Sequence, residues 1–107
     1  DLSTGKPAKG LSLELFRLEE ERVSLGKAVT NDDGRVDAPL LTEDTIQAGR
    51  YALVFQAGAY LQREHGMSAE DLFLDEVPLH FRVFDPDQKY HVPLLLSPFG
   101  YSTYRGS

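Results

Sequence analysis

The sequence holds no cysteine in its 107 residues. That excludes disulfides, thiolate metal sites and a thiol nucleophile. It has no apolar run of the roughly 18 or more residues that a membrane-spanning helix needs. No secretory leader is expected in it either. Positive charge is scarce: 11 Lys and Arg stand against 17 Asp and Glu, a net charge of −6 with an isoelectric point near 4.9. That balance argues against nucleic acid and anionic membrane as partners. The three histidines, His65, His80 and His91, show no metal-ligand spacing, so no metal centre is expected. Ser102, Thr103 and Ser107 lack a Gly-x-Ser-x-Gly elbow, and a serine nucleophile has no support. No internal repeat, linker or low-complexity segment appears.

What is present suits one small domain, residues 1–107. The hydrophobic fraction of 41% is enough to build a modest core and too high for a disordered chain. Gly5, Pro7 and Gly10 punctuate an opening loop. Leu11, Leu13 and Leu15 alternate with polar residues as a half-buried strand. Residues 19–22 read as a charged hairpin tip, followed by a strand over 23–30. Asn31-Asp32-Asp33-Gly34 is a turn, because Asn, Asp and Gly tolerate positive φ. Residues 35–40 leave it as a short extended piece ended by Pro39. A strand over 50–56 places Tyr51, Leu53 and Phe55 on one face. Residues 57–65 suit a helix stopped by Gly66. Ser68 could cap a further helical turn. Val77, Leu79, Phe81 and Val83 alternate as another strand, and Asp85-Pro86-Asp87 turns the chain again.

The end of the chain is the most unusual stretch. An apolar strand over 90–96, a Ser-Pro-Phe-Gly turn and a second strand carrying Tyr101, Ser102, Thr103, Tyr104 and Arg105 make a hairpin. Alternation puts Tyr90, Val92, Leu94 and Leu96 on one face and His91 on the other. A terminal strand has no structural need for so many hydroxyls and a guanidinium, so this one is expected to line a pocket. Taken singly, each candidate has a bland reading. His65 is a cation at a helix end, His80 faces solvent, His91 is an ordinary strand histidine and Arg35 a surface arginine after a turn. The residues alone therefore predict an acidic all-β domain of about seven strands, spaced as in a sandwich, with a polar hairpin beside a pocket.

Several motifs together carry a resemblance. They are Thr4-Gly5-Lys6-Pro7-Ala8, Asn31-Asp32-Asp33-Gly34-Arg35 with Pro39-Leu40-Leu41, Gly49-Arg50-Tyr51 with Phe55, and Asp85-Pro86-Asp87. Tyr90-His91-Val92-Pro93-Leu94-Leu95, Ser97-Pro98 and Tyr101-Ser102-Thr103 follow, then Tyr104-Arg105-Gly106-Ser107. In this order and over essentially the whole chain, the sequence resembles the 5-hydroxyisourate hydrolases, relatives of transthyretin. The first half matches weakly; the terminal tetrapeptide is the specific part, separating the hydrolases from the hormone carriers.

The resemblance implies a transthyretin-like two-sheet β-sandwich of about seven to eight strands with one short helix. It implies a homotetramer with sites where subunits face each other. It implies ring-opening hydrolysis of 5-hydroxyisourate to 2-oxo-4-hydroxy-4-carboxy-5-ureidoimidazoline in urate degradation, with no cofactor. Carried over by position, His91 matches the catalytic histidine, and histidine suits the activation of water. Arg35 matches the arginine that holds the substrate ring and can stabilise an oxyanion. Tyr104 and Arg105 match substrate-binding positions, and Ser107 the terminal serine at the site, which is expected to be catalytic with His91 and Arg35. The family's second catalytic histidine precedes the aspartate that aligns with Asp1, and is expected upstream. A transthyretin-like carrier is the first alternative, disfavoured by the polar narrowing that Tyr104 and Arg105 would impose. A structural β-sandwich module is the second. Without cysteine the compartment is not readable; the cytoplasm is the expectation and the periplasm the alternative.

Overall fold

A computed structural model describes residues 1–42 and 46–106. Six strands form among them, with one α-helix and one 3-10 turn: β1 Ser12–Leu18, β2 Arg22–Val29, β3 Gly49–Phe55, α1 Ala57–His65, the 3-10 turn Ala69–Asp71, β4 Val77–Val83, β5 Leu94–Ser97 and β6 Gly100–Thr103. The strands make a four-stranded sheet in the order β2-β1-β3-β4 and a two-stranded sheet of β5 and β6. The pairs within both sheets are antiparallel.

The alternation seen in the sequence sets the inner face of the large sheet. Register places Leu13 opposite Phe55 and Phe55 opposite Val77; one step on, Leu15, Leu53 and Leu79 line up in the same way. A further step pairs Tyr51 with Phe81, whose rings stack at 5.6 Å. The small sheet lies against this face. Leu96 is buried in one cluster with Leu11, Leu13, Phe55, Leu61 and Leu79, and Leu94 packs on its margin. Leu95, one residue out of phase, is exposed. Each side chain fully buried here contributes on the order of 1.5–3 kcal/mol.

Helix α1 follows β3 directly and buries Ala57, Tyr60 and Leu61, spaced three and four apart, against the same cluster. It stops at Gly66, which takes the left-handed conformation at φ 64°. The 3-10 turn is preceded by Ser68, whose hydroxyl donates to the Asp71 carboxylate at 2.8 Å.

Two differences from the sequence reading have physical causes. Residues 35–40 form no strand. Asn31 holds the preceding turn compact, its side-chain oxygen accepting from the backbone N–H of Asp33 and Arg35 at 2.9 and 3.1 Å. The chain then bends, and Leu40 tucks into the core edge instead of pairing. The strand expected over 90–96 begins at Leu94. Pro93 has no N–H to give to a ladder, and the Tyr90 hydroxyl is occupied with the backbone of Phe84 and Asp85.

Thr30 is the buried polar residue of this core. Its hydroxyl accepts from Leu11 N–H at 2.9 Å and donates to the Ala8 carbonyl. It thereby fixes the opening loop against the Asn31 turn. Thr30→Val keeps the shape and removes both bonds, stranding a buried N–H. The expected loss is about 1–3 kcal/mol, read as a lower urea midpoint. A midpoint equal to the parent's would mean the bonds contribute nothing net.

Candidate active site

A cleft of about 860 Å³ opens between the inner face of the large sheet and the segments around Arg35 and His91. Its floor is apolar, formed by Leu13, Leu15, Leu53, Phe55 and Phe81. Its charged lining residues are Asp1, Asp33, Arg35 and Lys89. An apolar floor with a few polar groups on the rim is the usual form of a small-molecule site.

Arg35 reaches this cleft because of the turn before it. Gly34 has φ 71°, which an L side chain rarely adopts, and it lies close to Pro7 and Ala8. A side chain there would press on the opening loop at 3.2–3.3 Å. Asn31 closes the turn with backbone bonds to Gly34 and Arg35, and its amide donates to the Asp37 carboxylate at 3.0 Å. The Arg35 backbone is thus pinned while its side chain stays exposed.

His91 lies on the wall formed by residues 89–94. It is exposed, and among the described residues no side chain hydrogen-bonds its imidazole. It forms an isolated antiparallel bridge with Gly106, whose N–H donates to the His91 carbonyl at 2.8 Å.

Asp1 is held firmly. Its side chain is 1% exposed and accepts from Tyr60 at 2.6 Å and meets His65 Nε2 at 2.7 Å. Burial pushes the Tyr60 phenol above the ordinary tyrosine range, which keeps it a donor. The other carboxylate oxygen accepts from the N–H of Ser3 and Thr4.

The expected site residues divide into three groups. His91 and Arg35 line one cleft. Tyr104 and Arg105 do not line it. Tyr104 is 57% exposed. The Arg105 guanidinium lies 4.7 Å from the Tyr90 ring centre and 5.1 Å from that of Phe84, and it donates to Gln88 and to the Lys89 carbonyl. Ser107 lies outside the described residues. Gly106 was not singled out from the sequence, because a glycine carries no chemistry of its own. Its signal was the adjacency of Gly106 to a guanidinium in a tetrapeptide otherwise rich in functional groups. Among the described residues no three His, Asp or Glu side chains gather as metal ligands, and no helix is long and apolar enough to cross a membrane.

Residues 1–106 match the model of the HIUase/Transthyretin family. The chain belongs to this family. It is 50% identical over 108 residues to "5-hydroxyisourate hydrolase 2" of Rhizobium meliloti, covering 100% of this chain and 90% of the relative. It is 52% identical to the 5-hydroxyisourate hydrolase of Mesorhizobium japonicum, covering 100% and 86%. Among solved structures it is similar to (S)-allantoin synthase, with a TM-score of 0.91 and 40% identity. That match covers the whole of this chain and 41% of the synthase. It is also similar to 5-hydroxyisourate hydrolase of Klebsiella pneumoniae, with a TM-score of 0.78, 34% identity and coverage of 100% and 91%. The two-sheet architecture with one helix is thus the transthyretin-like one.

Proposed function

We propose that this family member hydrolyses 5-hydroxyisourate, opening its ring to give 2-oxo-4-hydroxy-4-carboxy-5-ureidoimidazoline. The observation that carries the reading is the match of the entire chain, at about half identity, to relatives bearing that activity in their names. Supporting it, His91 and Arg35 both line a cleft with an apolar floor.

In this reading His91 takes a proton from water as the water oxygen bonds to the lactam carbonyl carbon. Arg35 donates to the oxygen as negative charge builds on it. The ring C–N bond then breaks, and the proton passes from His91 to the leaving nitrogen. Tyr104 and Arg105 are proposed to hold the substrate, and Ser107 to join the catalytic groups, at a site completed between subunits of a homotetramer. Such an assembly would give cover to Phe84, Phe99 and Tyr104, which are 64%, 70% and 57% exposed. A small-ligand carrier is not favoured, since the full-length relatives above are hydrolases by name.

The test is the ultraviolet decay of 5-hydroxyisourate freshly made from urate by uricase. The full-length protein is expected to accelerate it well beyond the spontaneous rate, in proportion to enzyme added. Decay at the spontaneous rate would remove the hydrolase reading.

A further inference from the structure

We infer that Gly106 is a positioning residue: its missing side chain is the seat on which the His91 imidazole rests. The inference depends on the proposed role of His91 as the base. Glycine can be required for either of two reasons, a positive φ or a close approach. The first does not apply, because Gly106 is absent from the positive-φ glycines of the chain. The second does. A Cβ at Gly106 would lie 2.8 Å from His91 Cγ and 2.9 Å from His91 Cβ, and nearer still to Nδ1. The ring therefore occupies the space that any side chain at 106 would fill. Non-bonded carbon atoms normally sit about 3.5–4.0 Å apart, so the overlap cannot be absorbed by small adjustments.

Nothing else described in the structure does this work. A base is commonly oriented by a carboxylate or carbonyl bonded to its other ring nitrogen. Among the described residues the His91 ring has no such partner. What fixes the residue is the backbone bond from Gly106 N–H to its carbonyl and the packing of the ring over the glycine. Gly106 is buried although Thr103, Tyr104 and Arg105 are exposed, as expected of a residue roofed by a side chain. Arg105 holds the bridge from the other side. It lies against Tyr90, the residue before His91, and bonds the Lys89 carbonyl. Arg105 and Gly106 therefore grip residues 89–91 together. With Nδ1 against Gly106, Nε2 is the ring nitrogen directed away from the seat.

Gly106→Ala in the full-length protein tests this. Alanine suits the backbone at 106, so the fold is expected to persist while the ring is displaced. A misplacement of about 1 Å can lower a rate a hundredfold, so kcat should fall by about ten- to a hundredfold with KM within about twofold. Long-range proton–nitrogen spectra of histidine-labelled protein should show the His91 ring signals moved and those of His65 and His80 unmoved. An active parent whose variant keeps both the His91 signals and kcat overturns the seat, as does one whose moved signals leave kcat unchanged. Movement of all three histidines would make Gly106 a residue of the fold and also overturn it. A parent inert toward 5-hydroxyisourate removes the hydrolase reading, and the seat's catalytic role with it, before any variant is made.

Discussion

His91→Asn is expected to lower kcat for 5-hydroxyisourate by about a hundredfold or more. Asparagine is polar and similar in reach, and it can still bond a substrate. It cannot accept a proton from water and return it to the leaving nitrogen. Arg35 and the apolar floor remain, so binding should change little, and the loss should fall on kcat more than on KM. The fold should be untouched, because His91 is exposed and its ring anchors no other side chain among the described residues. Single-turnover decay curves at saturating protein measure the chemical step directly. A kcat equal to the parent's would take His91 out of the mechanism.

Removing residues 104–107 is expected to be as damaging to catalysis and mild for the fold. Tyr104 and Arg105 are exposed, and no described residue after Leu96 belongs to a core cluster. Stability follows buried apolar area, so the melting temperature should fall by about 5 °C or less. The losses are local and specific. The guanidinium over the Phe84 and Tyr90 rings goes, with its bonds to Gln88 and Lys89. So does the backbone bridge to His91. Both sides of the grip on residues 89–91 disappear at once, and kcat should drop by about a hundredfold or more. Thermal melting, light scattering and the absorbance assay on one sample decide the matter. A truncated protein that remains fully active would show that the tail serves neither the site nor the imidazole; one that unfolds would place the tail in the fold.

Elements whose signals are local were legible in the sequence. The alternation of Val77, Leu79, Phe81 and Val83 became β4 over the same residues, and the helix over 57–65 ends at Gly66 as its residue types required. Features that depend on partners were not. The register of β1 against β2 slips between Leu15 and Phe16, where Leu15 opposes Gly26 and Phe16 opposes Ser24, so that Leu25 has no opposite number. No residue type announces that bulge. The alternation through Tyr90 and Val92 promised a longer strand, but alternation cannot say where the hydrogen-bonding partner runs out.

The site was partly legible for the same reason. The turn before Arg35 was legible in its Asn, Asp and Gly, but by itself it made Arg35 a surface arginine; the resemblance made it a site candidate, and the structure places it on the cleft. Arg105 was expected at the site; its charge could not announce that two aromatic rings and a carbonyl from residues 84–90 also engage it, because only tertiary packing brings those to it. The importance of Gly106 lies in what it lacks, and becomes visible once His91 is beside it.

The bridge between His91 and Gly106 also sets an order of events in the making of the protein. Chains are synthesised from the N-terminus at about 5–20 residues per second. The large sheet is complete at Val83, and His91 follows soon after. The residue on which its ring rests is added 15 positions later, 106 minus 91, a delay of about one to three seconds at those speeds. A chain cut short within that interval holds every strand of the large sheet while its imidazole has nothing beneath it. A ribosome that stops before residue 106 therefore releases a protein with its sheet built and its chemistry unfinished.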